Sequence, residues 1–464
     1  MSFSSYPDYK DSGSEVMGWI PATWKLLALG RALAQLVTDG PHSTPEFVDE
    51  GVPFLSVDGI QEGKLVFDSC RYISMQDHEE FKKKAAPRYN DILMGKAASV
   101  GKIARVTDRK KEFNIWSPLA LIRVDQTKYK PIYVEFCLKS NELQHQILLV
   151  SNSNTQLNIG MKDITKLRLA MPSLPEQRSI ARFLDHETAK IDALIHEQKH
   201  LIELLQEKHQ AVISHAVTKG LNPNVAMKDS GVEWLGTVPV HWIVGKIKWY
   251  LNTASGGTPP SSNLSEFYDG DIPWLRTLDL NNGEVDDYEV TVTQKAITET
   301  SCRIVPKGSV LIAMYGGDGT IGKHGLLRFD SAINQAICAF LPTKNILPKF
   351  LHFFVQFYRS YWMIGAESSR KDPNIGQDRI GDHLLIIPSL FEQQGIVQKL
   401  TTQLQNFEAL SGEAAKLVKG LTERRSALIS AAVTGKIDVR DWQPPADESA
   451  FDEEVHQAGI EAPV

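Results

Sequence analysis

The chain has 464 residues, 42% of them hydrophobic and 23% charged, with a formal net charge of −6. That length allows two or more domains with full cores. No apolar run is long enough to span a bilayer, and "MSFSSYPDYKDSG" lacks the apolar stretch of a signal peptide, so a cytoplasmic protein with no membrane partner is expected. Cys70, Cys137, Cys302 and Cys338 are scattered without a C-x-x-C pair, which argues against a disulfide framework and a zinc site.

In chain order, an entry segment (1–24) contains "KDSGSEVMGWIPATW" at 10–24. A block of mixed strand and helix pattern (25–172) follows, with "TDGPHSTP" at 38–45, "NDILMGKAASVGKIARV" at 90–106 and "NTQLNIG" at 154–160. The stretch 173–222 then reads as one long helix, opened by "PSLPEQRSI" and free of Pro and Gly from Glu176 to Lys219. Pro175 suits the first helical turn and Glu176 the positive end of the helix dipole.

The same plan then returns. "KDSGVEWLGTVPVHW" (228–242, within an entry segment 223–242) matches 10–24 at eight of fifteen positions, at an offset of 218. "PSLFEQQGI" (388–396) matches 172–180 at six of nine, and "ALISAAVT" (427–434) matches 211–218 at six of eight, both at 216. Three ordered matches at almost one offset are an internal duplication. The second block spans 243–388 and the second long helix 389–440. The two blocks agree only in outline, while entries and helices agree closely. The last segment, 441–464, holds seven acidic residues and no Lys or Arg, and reads as a disordered, solvating tail. Without it, 50 basic residues face 49 acidic ones, so the body is near neutral.

Two features within this plan bear on function. "MYGGDGTIGKHG" (314–325) fits the phosphate-loop spacing from Gly317 to Lys323, but His324 stands where Ser or Thr should bind Mg²⁺, and a strand-like run follows in place of a helix. Its counterpart in the first half, Gly95 to Lys102, is one residue longer. The recurring pattern is a strand, a Gly-rich turn with a lysine, and a second strand, so no nucleotide site is expected. The helices show 4-3 apolar spacing: Ile180, Leu184, Glu187, Ile191, Leu194, Gln198, Leu201, Leu205, Lys208, Val212, His215, and Ile396, Leu400, Gln403, Phe407, Leu410, Ala414, Leu417, Leu421, Arg424, Leu428, Ala431. This predicts a coiled-coil seam, with the two helices pairing with each other. A seam with an outside helix stays open.

The entry motifs, "TDGPHSTP" with "SGGTPP" (255–260), and "NIG…MPSLPEQ" with "NIG…IPSLFEQ" together resemble the DNA-specificity subunit of type I restriction–modification enzymes, from about Tyr6 to Trp442. The resemblance implies an α+β fold with a pseudo-twofold repeat: two target-recognition domains, each reading half of a split DNA sequence, separated by two long helices in an antiparallel coiled coil that sets the spacer. It implies double-stranded DNA, two modification (methyltransferase) subunits and two restriction (motor-nuclease) subunits as partners. S-adenosylmethionine, ATP and Mg²⁺ are expected on those partners, and no cofactor or metal on this chain. "RKDPNIG" (370–376) departs from the polar form "NTQLNIG".

Base edges are read by Arg, Lys, Asn, Gln, Ser and Thr, and the loops offer His42, Ser43, Thr44, Lys96, Ser99, Lys102, Asn154 and Gln156 in the first half. The second half offers Thr258, Ser261, Asp318, Thr320, Lys323, Arg370 and Lys371. A solvated turn is the alternative for each. Two rival functions remain. A stand-alone DNA-modifying enzyme would need a catalytic loop, for which "LNPNV" (221–225) lacks the second proline and the aromatic residue; no catalytic residue is expected. A coiled-coil scaffold would leave the divergence of the two blocks unexplained.

Overall fold

The computed structural model describes residues 4–68, 70–152, 157–261, 264–316, 319–362 and 375–444. The chain divides into two compact units, Met1–Lys199 with Lys416–Val464, and His200–Ala415. Each unit has the same parts, the second beginning with the C-terminal portion of the first long helix.

In each, the block is preceded by a hairpin, Tyr9–Asp11 against Trp19–Pro21 and Met227–Asp229 against Thr237–Pro239. The "KDSG" identity is turn chemistry. The Asp11 and Asp229 carboxylates accept the N–H two residues on, each at 2.9 Å, and the glycines that follow lie at φ 72° and 74°. Lys10 and Lys228 donate across the hairpin to the carbonyls of Ala22 and Trp242, both at 2.7 Å.

Each block then begins and ends on one strand pair. Lys25–Ala28 pairs antiparallel with Arg168–Met171, and Ile243–Lys246 with Leu384–Ile387. Between them the first block has a main antiparallel sheet ordered Ile103–Arg105, Ile92–Gly95, Leu119–Ile122, Thr38–Asp39. The second has His324–Leu327, Val310–Ala313, Ile337–Phe340 and Thr253–Ser255 in the same order, with Glu284–Val285 added in parallel at one edge. A smaller sheet contains one parallel pair in each block, Val52–Leu55 with Asn114–Ile115 and Tyr268–Leu275 with Ser331–Ile333. A helix with proline in its first turn, Pro131–Lys139 or Pro348–Tyr358, covers the main sheet. Its apolar side joins the central strands in the core of its own unit.

The long helices are Leu174–Lys219 and Leu390–Val433, 46 and 44 residues. At 1.5 Å per residue the first is about 69 Å long. They run antiparallel in each unit. In the first, Ile180 and Leu184 share a core with Ile429 and Val433, while further along Arg425 Nε meets Asp192 Oδ1 at 2.7 Å. In the second, Val217 shares a core with Ile396 and Leu400, and His209, whose pKa burial lowers, lies beside Glu408.

The seam differs from the sequence expectation by one position at alternate members. Leu194, Leu201, Leu410 and Leu417 are 51%, 40%, 50% and 49% exposed. The buried or half-buried stripe instead runs Leu184, Thr188, Ile191, Ile195, Gln198, Ile202, Leu205, His209, Val212, Ala216 on one helix. On the other it runs Leu400, Leu404, Phe407, Ser411, Ala414, Val418, Leu421, Arg425, Leu428, Ala432. The first step after Leu184 is four residues to Thr188, whose hydroxyl donates to the Leu184 carbonyl at 2.6 Å, in place of three residues to Glu187. Lys208, His215 and Arg424 are exposed and leave the seam with the leucines, and half-buried Ala431 gives its place to buried Ala432. Of the other seam members, Ile180 and Ile396 are buried.

Candidate nucleic-acid interface

A fixed frame holds each block. Trp24 and Trp242 are buried, and their indole N–H groups donate to Glu176 Oε1 (2.9 Å) and Glu392 Oε1 (3.0 Å), at the start of the long helices. The neighbouring glutamines reach into the blocks. Gln177 Oε1 accepts the Lys130 N–H at 3.0 Å and Gln393 Oε1 the Leu347 N–H at 2.8 Å, each at the start of the block's covering helix. Their amide nitrogens donate to the carbonyls of Pro172 and Pro388, at 3.1 and 3.0 Å. The Glu-Gln pair of each repeat is therefore a bracket between long helix and block.

On that frame three loops of each block meet at one edge of the main sheet. Thr38–Asp39 and Ile92–Gly95 both run antiparallel to Leu119–Ile122 between them, so their C-terminal ends lie side by side. Thr253–Ser255 and Val310–Ala313 flank Ile337–Phe340 in the same way. The first loop turns against neighbouring backbone: a Cβ on Gly40 would lie 1.8 Å from the Ile115 carbonyl oxygen, and one on Gly256 1.7 Å from that of Ile333. Only glycine fits there. The second loop is a hairpin tip closed by matching hydrogen bonds, Gly95 N–H to the Lys102 carbonyl and Ala313 N–H to the Lys323 carbonyl, both 2.8 Å. The third is the "NIG" loop, whose Ile159 and Ile375 N–H groups donate to the carbonyls of Lys96 and Met314, both 2.9 Å. Lys323 leads directly into the strand His324–Leu327. A strand, in place of a helix, follows the lysine, so the phosphate-loop spacing there is fortuitous.

In the first unit His42 and Lys96 meet through Asp39, with Ser43 and Thr44 on the loop of His42 and Ser99 and Lys102 on that of Lys96; in the second, Thr258 and Ser261 lie on the first loop and Thr320 and Lys323 on the second. His42, Ser43, Thr44, Lys102, Thr258 and Ser261 are exposed; Lys96, Ser99, Thr320 and Lys323 are half-buried. Asn154, Gln156, Asp318, Arg370 and Lys371 lie outside the described residues.

Asp39 organises the first cluster, and the sequence reading missed it. Its side chain is 1% exposed, with Oδ1 2.6 Å from Lys84 Nζ, and Oδ2 3.0 Å from Lys96 Nζ and 3.2 Å from His42 Nε2. Burial pushes the carboxyl up, but the two ammonium groups outweigh it and hold the pKa below the usual range. Lys84 also donates to the Gly40 carbonyl at 2.8 Å. Lys96 is thereby held at the base of the cluster, while Lys102, at the pair that closes the tip, is exposed. Sequence spacing could not show this, because Lys84 and Asp39 are 45 residues apart.

Behind the second tip, His324 and His352 are buried with Nδ1 and Nε2 3.1 Å apart. Burial pushes both down to about 3, with help from each other's neighbourhood: His352 beside His324, and Lys349 beside His352. Both are neutral near pH 7. Among the described residues no group of three or more His, Cys, Asp or Glu could hold a metal ion, and no helix is long and apolar enough to cross a membrane.

The architecture, two recognition blocks on a repeated helical frame, is matched by known proteins. The model of the type I restriction modification DNA specificity domain matches residues 42–204 and 239–417. The chain belongs to that family. It is 22% identical over 440 residues to the putative type I restriction enzyme MjaX specificity subunit of Methanocaldococcus jannaschii, covering 91% of this chain and 96% of that one. The EcoR124I/EcoR124II specificity subunit of Escherichia coli is 27% identical over 180 residues, 38% of this chain and 42% of that one. In fold, the chain resembles one solved in work on complex assembly and conformational transition of the type I R-M system. The TM-score is 0.67 at 14% identity, over 89% of this chain and 98% of that one.

Proposed function

We propose that this chain is the DNA-recognition subunit of a type I restriction–modification complex, each block reading one half of a bipartite site in double-stranded DNA. The observation that carries this is the loop-bearing edge. Both units hold the same three loops with the same backbone hydrogen bonds, yet fill them with different side chains. Recognition of two unlike half-sites calls for a constant frame with variable polar tips, because phosphate contacts position a protein and base contacts specify. Lys102 and Lys323, at matching places, suit phosphates; the exposed residues of the 42–44 and 258–261 loops suit base edges.

The paired helices act as the spacer and as the docking element for two modification subunits. Their exposed leucines, Leu194 and Leu201 on one and Leu410 and Leu417 on the other, supply apolar surface for that contact. Two restriction subunits complete the assembly. This chain binds no cofactor and performs no chemistry. S-adenosylmethionine, ATP and Mg²⁺ serve the partners in adenine methylation and ATP-dependent cleavage, in the cytoplasm.

Block exchange tests the reading. Cells carrying the chain with its modification partner should show a split methylated adenine motif. Replacing residues 25–172 with the block of a relative should change one half of that motif only. A change in both halves, or an unmethylated genome, would overturn it.

A further inference from the structure

The two hairpin tips share a backbone but differ at the apex. Gly101 and Gly322 correspond, each donating its N–H to the carbonyl of the residue that ends the incoming strand, Gly95 at 2.9 Å and Ala313 at 3.0 Å. Three residues before them stand Ala98 and Gly319. All four lie at positive φ: 88° for Gly101, 73° for Gly322, 74° for Gly319 and 63° for Ala98. Glycine adopts that region freely, whereas the Cβ of an alanine crowds the neighbouring backbone. The Ser99 N–H donates to the Ala97 carbonyl at 2.8 Å, so Ala98 is the centre of a three-residue turn of the rare, strained hand.

Among the described residues four other non-glycines lie at positive φ, and each has a local reason. Asn90, Asp269 and Asn282 are residue types that tolerate the region. Glu62 precedes Gly63 in the two-residue turn joining Ile60–Gln61 to Lys64–Leu65, a turn that requires positive φ, and its side chain pairs with Lys199. Ala98 brings only a methyl group, exposed at the apex, where the matching Gly319 shows that the backbone has no need of one. The apex is also held firmly. The Lys96 carbonyl accepts the Ile159 N–H, and Ala97 bridges Asn158 on the third loop. A Cβ on Gly95 would lie 2.3 Å from the Ser99 carbonyl oxygen, so the tip folds closely onto its own base. The Ala98 methyl is thus presented at a fixed place, with no rotamer freedom to lose on binding. Beside it Ala97 and Val100 are apolar and half-buried, while the lysines of the tip, Lys96 and Lys102, stand at its flanks.

We infer that Ala98 reads a thymine in the half-site of the first block, its methyl packing on the C5-methyl group of the base. Thymine methyls face the major groove, which admits a two-stranded ribbon such as Ile92–Gly95 with Ile103–Arg105. An exposed methyl on a rigid apex suits that apolar contact and offers nothing to a polar base edge. A strained backbone kept at a binding loop fits a side chain that is used there. The inference rests on the reading of the loops as a DNA interface and adds a base to it.

The test uses the full chain with its modification subunits, and duplexes carrying its methylated motif in which each thymine of the first half is replaced singly by uracil. Uracil pairs as thymine does and lacks only the C5-methyl group. At one position the replacement should weaken binding about fourfold, as for one methyl-sized group withdrawn from apolar contact. Ala98→Gly should bind the thymine and uracil duplexes equally at that position, with a urea midpoint no lower than that of the unchanged chain. Uracil in the second half should affect both proteins alike. Specific binding that is indifferent to uracil throughout the first half, or a uracil effect that survives Ala98→Gly, would overturn the assignment of Ala98. A lowered midpoint would do the same, since the methyl would then be packing within the protein. A chain that prefers no DNA sequence at all would instead sink the reading of the loops, so the two failures are distinct.

Discussion

In the first unit Asp39 gathers Lys84, Lys96 and His42 at the base of the loops, whereas in the second Ser255 and Met314 stand at the places of Asp39 and Lys96. Under the covering helix the contrast repeats. Glu135 meets Arg105 at 2.8 Å and Lys139 at 2.6 Å, and the position of Glu135 is taken in the second unit by His352, paired with His324. At these positions the first unit uses ion pairs and the second neutral contacts, although Lys349 on the second covering helix pairs with Glu284 at the sheet edge at 2.5 Å, while the Trp–Glu–Gln bracket recurs in both. What repeats is the attachment of a block. What differs is the means by which each block fixes its own loops.

The bracket should give the largest effect if broken. Trp24→Ala or Trp242→Ala removes a buried indole and should cost about 3–5 kcal/mol. Amide hydrogen exchange should show the loss in the unit that carries the substitution; equal loss in both units would mean that the two are not separate bodies. Asp39→Ala leaves Lys96, whose side chain is 13% exposed, without its partner, and should cost about 2–3 kcal/mol after allowance for the more exposed Lys84. Ser255→Ala should stay within about 0.5 kcal/mol. Urea unfolding of the two variants compares them directly, and similar costs would erase the contrast.

Acid should separate the units further. His324 and His352 bind protons in the unfolded chain below about pH 6.5 but in the folded chain only near pH 3. Their contribution is therefore fully present above about pH 6.5 and is lost as the pH falls towards 3. Replacing both by leucine should flatten the decline in stability of the second unit between pH 6.5 and 4, as followed by hydrogen exchange at each pH. For Asp39, with its lowered pKa, the contribution is present above about pH 4 and is lost at lower pH. Asp39→Asn should leave the slope above pH 5 unchanged. The smallest effect on folding is expected from Lys102→Ala and Lys323→Ala, each within about 0.5 kcal/mol. Each should lower the salt dependence of DNA binding by about one counterion if the lysine meets a phosphate. An unchanged salt slope would remove that lysine from the interface.

The duplication, the long helices and the match between the two hairpin tips were legible in the sequence, since each is a local pattern repeated at a fixed offset. The helix register was less so. Leucines at 194, 201, 410 and 417 pull a 4-3 reading onto the wrong track, and only the packing of Thr188, Ile195 and Ile202 shows which stripe is turned inward. The Asp39 cluster and the His324–His352 pair were beyond reach for a different reason. Their members are 45 and 28 residues apart and meet only because the sheet is folded. The role of Glu176 and Gln177 was half visible: the dipole argument explains a glutamate at the helix start, but not the indole and the backbone amide that these side chains hold.

The strand pairs Lys25–Ala28 with Arg168–Met171 and Ile243–Lys246 with Leu384–Ile387 bring the first and last residues of each block to neighbouring positions, about 4.8 Å apart across a sheet. To the rest of the chain a block is therefore a loop with clasped ends. Genetic exchange at these two seams can replace the whole of 25–171 or 243–387 without moving the helix that follows, so new sequence preferences can be acquired by grafting whole blocks as well as by altering single loops.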